Sequence, residues 1–196
     1  MQIISLNVGT VMSCKDALST AGQTFLSAIH KSSISSVEHP KAVQVNFLGL
    51  EADEQADTSV HGGHDKALYA YPIEHYSFWE NTVQSELHAQ KTFAYGHFGE
   101  NITISGLLEH DVWVGDLWFI GDLELRVTKL REPCFKFNAK MDYKKAAKTM
   151  VKTAKSGWYL KVIKEGVVQA GDAIKVINGP KKISIKHQND ALMSAK

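Results

Sequence analysis

Leu123-Glu-Leu-Arg-Val-Thr-Lys-Leu-Arg-Glu-Pro-Cys-Phe-Lys-Phe137 holds the pattern from which the architecture of this chain can be worked out. Leu123, Leu125 and Val127 fall on one side at period two and Glu124, Arg126 and Thr128 on the other, which predicts a half-buried strand. Pro133 has no N–H and a fixed φ, so it ends the ladder and biases Glu132 towards extended geometry. Cys134 is thereby delivered at a strand end by a stiff connection. Lys129, Arg131 and Lys136 stand close to it in sequence, and nearby positive charge lowers a thiol pKa from about 8.5 and favours the thiolate that attacks or ligates metal. The bland reading is that free cysteines are among the most buried residue types and act as small hydrophobes. Both readings stand on this segment alone.

Around that segment, 196 residues with 44% hydrophobic and 22% charged can bury a substantial core. The expected organisation is a single domain over residues 1–178 with a polar C-terminal tail over 179–196. Lysine plus arginine number 22 against 21 acidic residues, so no global charge draws the chain to nucleic acid or to a membrane surface, and any anion specificity must be local. Cys14 and Cys134 are far apart and outside any Cys-x-x-Cys spacing, which argues against a disulfide framework and for a reducing, cytoplasmic setting. The N-terminus lacks a basic leader and a long apolar run, so no signal peptide is expected, and no stretch approaches the ~20 apolar residues of a membrane span.

Residues 2–8 read as an opening strand, without the G-x-G-x-x-G of a dinucleotide fold. Residues 16–30 have weak helical or irregular character, and Lys31 enters a polar loop where a solvated lysine is the ordinary reading. Residues 42–48 alternate as a strand and lead into an acidic run at 49–57 that reads as solvated. His61-Gly-Gly-His-Asp-Lys66 is a glycine loop able to turn consecutive N–H groups towards a phosphate or carboxylate. A zinc reading of His61, His64 and His75 lacks the helical H-E-x-x-H spacing. A strand is predicted over 67–71 and a helix opening at Pro72, with Tyr76 and Trp79 on one face as packing aromatics. Gly99, Glu100 and Asn101 form a second glycine turn with hydrogen-bonding groups. Repeated Gly-Asp turns at 115–116, 121–122 and 171–172 point to a meandering or barrel sheet. Residues 140–155 carry a helical apolar stripe, and residues 157–177 read as a closing hairpin.

In this order, His61-Gly-Gly-His-Asp-Lys66, Gly99-Glu-Asn101, Val114-Gly-Asp116, Arg131-Glu-Pro-Cys134, Gly157-Trp158 and Ala170-Gly-Asp172 resemble the motifs of MOSC domains, specifically the standalone proteins of the YiiM type. The resemblance spans about residues 25–178. It implies a mainly β fold with peripheral helices, a MOSC-type, pyruvate-kinase-like β-barrel related to the C-terminal domain of molybdenum cofactor sulfurases. It further implies that Cys134 is the sulfur-carrying or molybdenum-ligating residue, and that Lys31, His61, Gly62, Gly63, Lys66, Gly99, Glu100, Asn101 and Arg131 bind a molybdopterin cofactor. Leu130 stands where the family has proline before the motif arginine, and Ala52 where it has the glycine of a Gly-Asp turn. The chain ends at Lys196, before the C-terminal helical extension of longer relatives.

The expected function is accordingly a molybdenum cofactor protein acting as a sulfur carrier or as a reductase of N-hydroxylated base analogues, with a small-molecule substrate and an electron-donor protein as partners. Pyridoxal phosphate is not indicated. A noncatalytic module binding a pterin, phosphate or partner in the same pocket is the alternative from another class, and a zinc-dependent hydrolase is the last.

Overall fold

In the computed structural model, which describes residues 1–19, 22–57 and 62–194, the chain opens with β1 (Gln2–Val8), β2 (Met12–Lys15), β3 (Thr24–Ser27), β4 (Ser32–Ser36), β5 (Val43–Asn46) and β6 (Gly49–Leu50). A single 3-10 turn at His64–Lys66 precedes β7 (Leu68–Pro72), and another at Ile73–His75 leads into α1 (Tyr76–Leu87). Then come β8 (Ile102–Ser105), β9 (Leu117–Ile120) and β10 (Leu123–Leu130), followed by α2 (Phe135–Met141) and α3 (Ala146–Lys152). The chain continues through β11 (Trp158–Lys164), β12 (Gly166–Val168), β13 (Lys175–Ile177) and α4 (Ile185–Ser194).

Eight strands form one curled sheet in the order β13-β9-β10-β11-β7-β8-β1-β4, and its pairs are antiparallel except β7 with β8. Backbone bonds from Ile3 N to Asp172 O and from Gly171 N to Ile3 O carry the chain before β13 onto β1, which gives the mainly β, barrel-like architecture with helices outside. The alternation in β10 is realised: Leu123, Leu125 and Val127 are fully buried while Arg126 is exposed. They join Trp118, Trp158, Leu160 and Ile102 in an aliphatic core inside the sheet. A second, aromatic cluster of Tyr71, Tyr76, Trp79, Phe98 and Phe137 packs α1 and α2 against the outside, so the Tyr76 and Trp79 pair is packing, as its spacing implies.

Four local expectations change. Residues 16–30 are not wholly irregular, because β2 and β3 pair across them as a two-stranded ribbon. Only Cys14 and Ser27 of its eight residues are buried, too few to impose a period on the sequence. The helical stripe over 140–155 is two helices, because Asp142 adopts a left-handed conformation at φ 50 and Asn138 Oδ1 accepts the Ala147 N–H that opens α3. The closing hairpin is not formed: β12 leaves β11 and pairs with β5, while β13 pairs with β9. Finally, the polar stretch after Gly179 contains α4, whose Ile185 and Asn189 are buried. No helix among the described residues is long and apolar enough to cross a membrane.

Candidate functional site

The register of β10 against β11 shifts between Val127 and Lys129, a bulge that bends the strand and re-aims the residues beyond it. Leu130 then gives its N–H to Gln188 Oε1 at 2.7 Å, and Arg131 N donates to Gly157 O at 3.2 Å. Pro133 ends the strand, and Cys134 starts α2 with extended backbone and no side-chain capping bond. The half-buried thiol is thus left available. It lines a recess, partly open to solvent, that also takes in Lys31, Lys66, Gly99, Asn101 and Arg131. Six of the residues expected at the site, scattered through about a hundred positions of sequence, therefore converge on one cavity.

Arg131 is buried, with its guanidinium carbon 5.5 Å from the Tyr69 ring centre and 4.8 Å from that of Phe137, and Nη1 3.3 Å from Met150 Sδ. None of the ion pairs among the described residues involves it. A guanidinium stacked on rings and lacking a carboxylate partner is an anion receptor in waiting. Tyr159 lines the same recess; burial raises its phenol pKa, with Arg131 opposing the rise. The expected trio of cations around Cys134 is only partly assembled there. Lys136 lines the recess, whereas Lys129 does not and instead pairs at 3.1 Å with Glu132, which does.

The other wall is organised by a residue that sequence reasoning misses. Asp53 Oδ1 accepts Lys31 Nζ at 2.5 Å and Gly9 N at 2.8 Å, and Asp53 Oδ2 accepts Asn101 Nδ2 at 2.7 Å. Both side chains of the Lys31–Asp53 pair are almost fully buried, which corrects the reading of the acidic run as solvated. Asn101 Oδ1 in turn accepts Tyr69 N at 3.1 Å, so one network ties together five segments, those of Gly9, Lys31, Asp53, Tyr69 and Asn101. The family's Gly-Asp pattern, visible here as Ala52-Asp53, is the signal that could have found Asp53; Tyr69 and Tyr159 carry only the signal of β alternation.

Gly99 belongs to the wall because it sits at φ +86, and a Cβ there would meet Ile29 Cγ1 at 2.9 Å. Its neighbour Glu100 does not face the cavity, contrary to expectation. The Glu100 carboxyl is fully buried beneath the turn, accepting Gly96 N and Phe98 N at 3.0 Å each, Thr103 Oγ1 at 3.1 Å and the Tyr76 hydroxyl. Burial raises its pKa. Gly62 and Gly63 stand one layer behind the lining: Gly63 N donates to Oε1 of Gln55, which does line the recess. His61 lies outside the described residues. His64 is exposed, and His75 is buried elsewhere with Nε2 on Glu109 at 2.9 Å and Nδ1 facing Lys155 at 3.4 Å. The histidines of the zinc reading that are described thus do not gather at the recess.

Residues 57–175 match the family model described as the MOSC domain. The chain is 36% identical over 157 residues to protein YiiM of Escherichia coli (strain K12), covering 79% of this chain and 68% of that protein. It is 32% identical over 162 residues to a protein of Gibberella moniliformis named "Reductase", covering 81% of this chain and 27% of that one. Among solved structures, YiiM from Geobacillus stearothermophilus superposes with a TM-score of 0.71 at 30% identity, covering 97% of this chain and 83% of that chain.

Proposed function

We propose, from the premise that this chain belongs to the MOSC domain family, that its recess holds the molybdenum cofactor with Cys134 as sulfur ligand and that the protein reduces N-hydroxylated base analogues. The carrying observation is that an available thiol and an uncompensated guanidinium share one aromatic-walled cavity. The donor set suits such a group. Thiolate is a soft metal ligand, Arg131 offers a planar fork for a phosphate, and Lys66 adds a point charge. Lys31 has its charge balanced by Asp53, so Arg131 is the stronger anion anchor. The Tyr69 and Tyr159 rings can flank a flat heterocycle. A relative carrying the name reductase supports the assignment of a redox task.

When bound, the cofactor would supply two-electron redox chemistry at the metal. Cleaving an N–O bond to an amine consumes two electrons and two protons and releases water. The electrons come from an electron-donor protein, a partner in this reading, while the chain's own residues manage charge and protons. Burial keeps the Tyr159 hydroxyl protonated, so it can give a hydrogen bond to the leaving oxygen. Asp53 fixes Lys31 against the wall, and Gly99 lets its turn pack closely against Ile29 in the cavity wall.

The test is reconstitution of purified protein with the cofactor, followed by metal and pterin analysis and assay on an N-hydroxylated purine. Wild type should retain molybdenum and pterin in near-equal amounts and turn over. Cys134→Ser should lose metal by about tenfold or more with an unchanged unfolding curve, and Arg131→Lys should weaken retention although charge is kept. Wild-type levels of metal and activity in the Ser variant would remove the thiol from the site. A persulfide on Cys134, seen by mass spectrometry without bound metal, would assign sulfur carriage instead.

A further inference from the structure

Arg131 enters the recess with no carboxylate partner, so other groups must aim its guanidinium. The backbone fixes the root of the side chain, through Arg131 N on Gly157 O at 3.2 Å. The rings of Tyr69 and Phe137, 5.5 and 4.8 Å from the guanidinium carbon, limit how far the group can stray. Attraction of a cation to a ring is broad in angle, however, and leaves rotation of the fork within its own plane open. That rotation is set by one edge contact, Nη1 to Met150 Sδ at 3.3 Å. Met150 is fully buried and does not line the recess, whereas Arg131 does. Nη1 is therefore held on the protein side. The fully buried side-chain nitrogens and oxygens without a partner among the described residues are Trp118 Nε1, Trp158 Nε1 and Asn189 Oδ1. None belongs to Arg131, so no donor of its guanidinium is sealed off unpartnered, and those turned from Met150 are left for the recess.

We infer that Met150 is the positioning residue for Arg131: its sulfur turns the guanidinium fork so that the free edge points into the recess. A thioether suits the task because it is a weak, uncharged acceptor. A carboxylate in its place would take two N–H groups and cancel the charge, and a hydrocarbon would leave Nη1 without an acceptor in a buried setting. Sulfur directs the guanidinium and leaves its full charge to a ligand. The sulfur is itself held from several directions. Asn138 Oδ1 on α2 accepts the Ala147 N–H at the start of α3, the helix that carries Met150, and Asn189 of α4 donates to Val151 O, next in sequence to Met150. Phe137 precedes Asn138 on α2, so the ring and the sulfur that border Arg131 sit on two helices joined by one hydrogen bond. The ligand served is the phosphate of the proposed cofactor, and this clause alone rests on the proposed function.

The experiment uses the full chain with inorganic phosphate as the probe, and heteronuclear NMR of the Arg131 guanidinium before and during the titration. In wild type the Arg131 Nη signals should be resolved by restricted rotation, and phosphate should shift them. Met150→Leu conserves side-chain volume, a change that cores tolerate, and removes the acceptor. It should merge or broaden the Arg131 Nη signals in the free protein and weaken phosphate binding by about threefold to tenfold, with the urea midpoint little changed. Met150→Gln restores an uncharged acceptor on an unbranched chain, and should recover the resolved signals and most of the affinity. A residue that merely filled the core would give the reverse order, with leucine the better replacement, and that result overturns the inference. So do Arg131 signals and phosphate affinity unchanged in Met150→Leu. Phosphate that leaves the wild-type Arg131 signals untouched, while Met150→Leu still frees the guanidinium, keeps the positioning of Arg131 and removes it as the phosphate anchor of the proposed function.

Discussion

Ala52 sits at φ +68, a left-handed conformation that a Cβ makes costly. Immediately after it, Asp53 turns back to meet Lys31, Gly9 and Asn101. The local strain is therefore tolerated because the buried network over-determines the turn. Replacing Ala52 by glycine should remove about 1–2 kcal/mol of strain and return about 0.4–1 kcal/mol through the freer unfolded chain. The expected net gain is about 0.5–1 kcal/mol, read as a higher urea midpoint at unchanged m-value. A lower midpoint would mean that the Ala52 methyl makes a contact worth more than the strain.

Among the elements, the 95–101 turn is a wall whose conformation is set from beneath, and its protonation state reports on it. The folded His97 pKa of about 3 lies below the usual 6.5, so between those values the unfolded chain binds a proton that the folded chain does not. Stability is therefore present above pH 6.5 and is lost as pH falls from 6.5 towards 3. Glu100 acts in the opposite sense: its raised pKa favours the folded state at acid pH, and that contribution fades as pH rises above about 4.5 through its folded value. His97→Phe keeps a ring against Phe93 and leaves Glu100 in place. In phosphate-free buffer it should flatten the acid limb, sparing roughly 1–3 kcal/mol between pH 6.5 and 4.5 at about 1.4 kcal/mol per unit. Parallel acid limbs for wild type and variant would show that His97 is solvated in the folded protein.

Across the whole molecule, α4 braces the strand that presents Cys134. Gln188 accepts the Leu130 N–H, Asn189 Nδ2 donates to Val151 O at 2.7 Å, and Ile185 is fully buried in the aliphatic core. Ile185→Ala should cost about 2–4 kcal/mol through lost burial and a residual cavity, measured as a fall in the urea midpoint. A loss under about 0.5 kcal/mol would place α4 outside the cooperative fold.

Features whose causes are local are legible in the order of residues. Period-two burial marks β10 because Leu123, Leu125 and Val127 alternate within one strand, and Pro133 marks its end because a missing N–H needs no partner to be felt. The order of motifs from Lys31 to Cys134 is legible too, and with it six of the residues that line the recess. Which segments meet is settled by the folded chain alone. Hydropathy periodicity reports that a face is buried but not against what, so β12 is assigned by pattern to its neighbour in sequence when its partner is β5. An acidic run looks solvated until Asp53 is brought to Lys31 across twenty-two positions, and Glu100 looks available until Tyr76 and three other donors enclose it. Long-range closure of the sheet brings these groups together, and with them the balance between burial and charge that sorts the cavity-lining side chains from the structural ones.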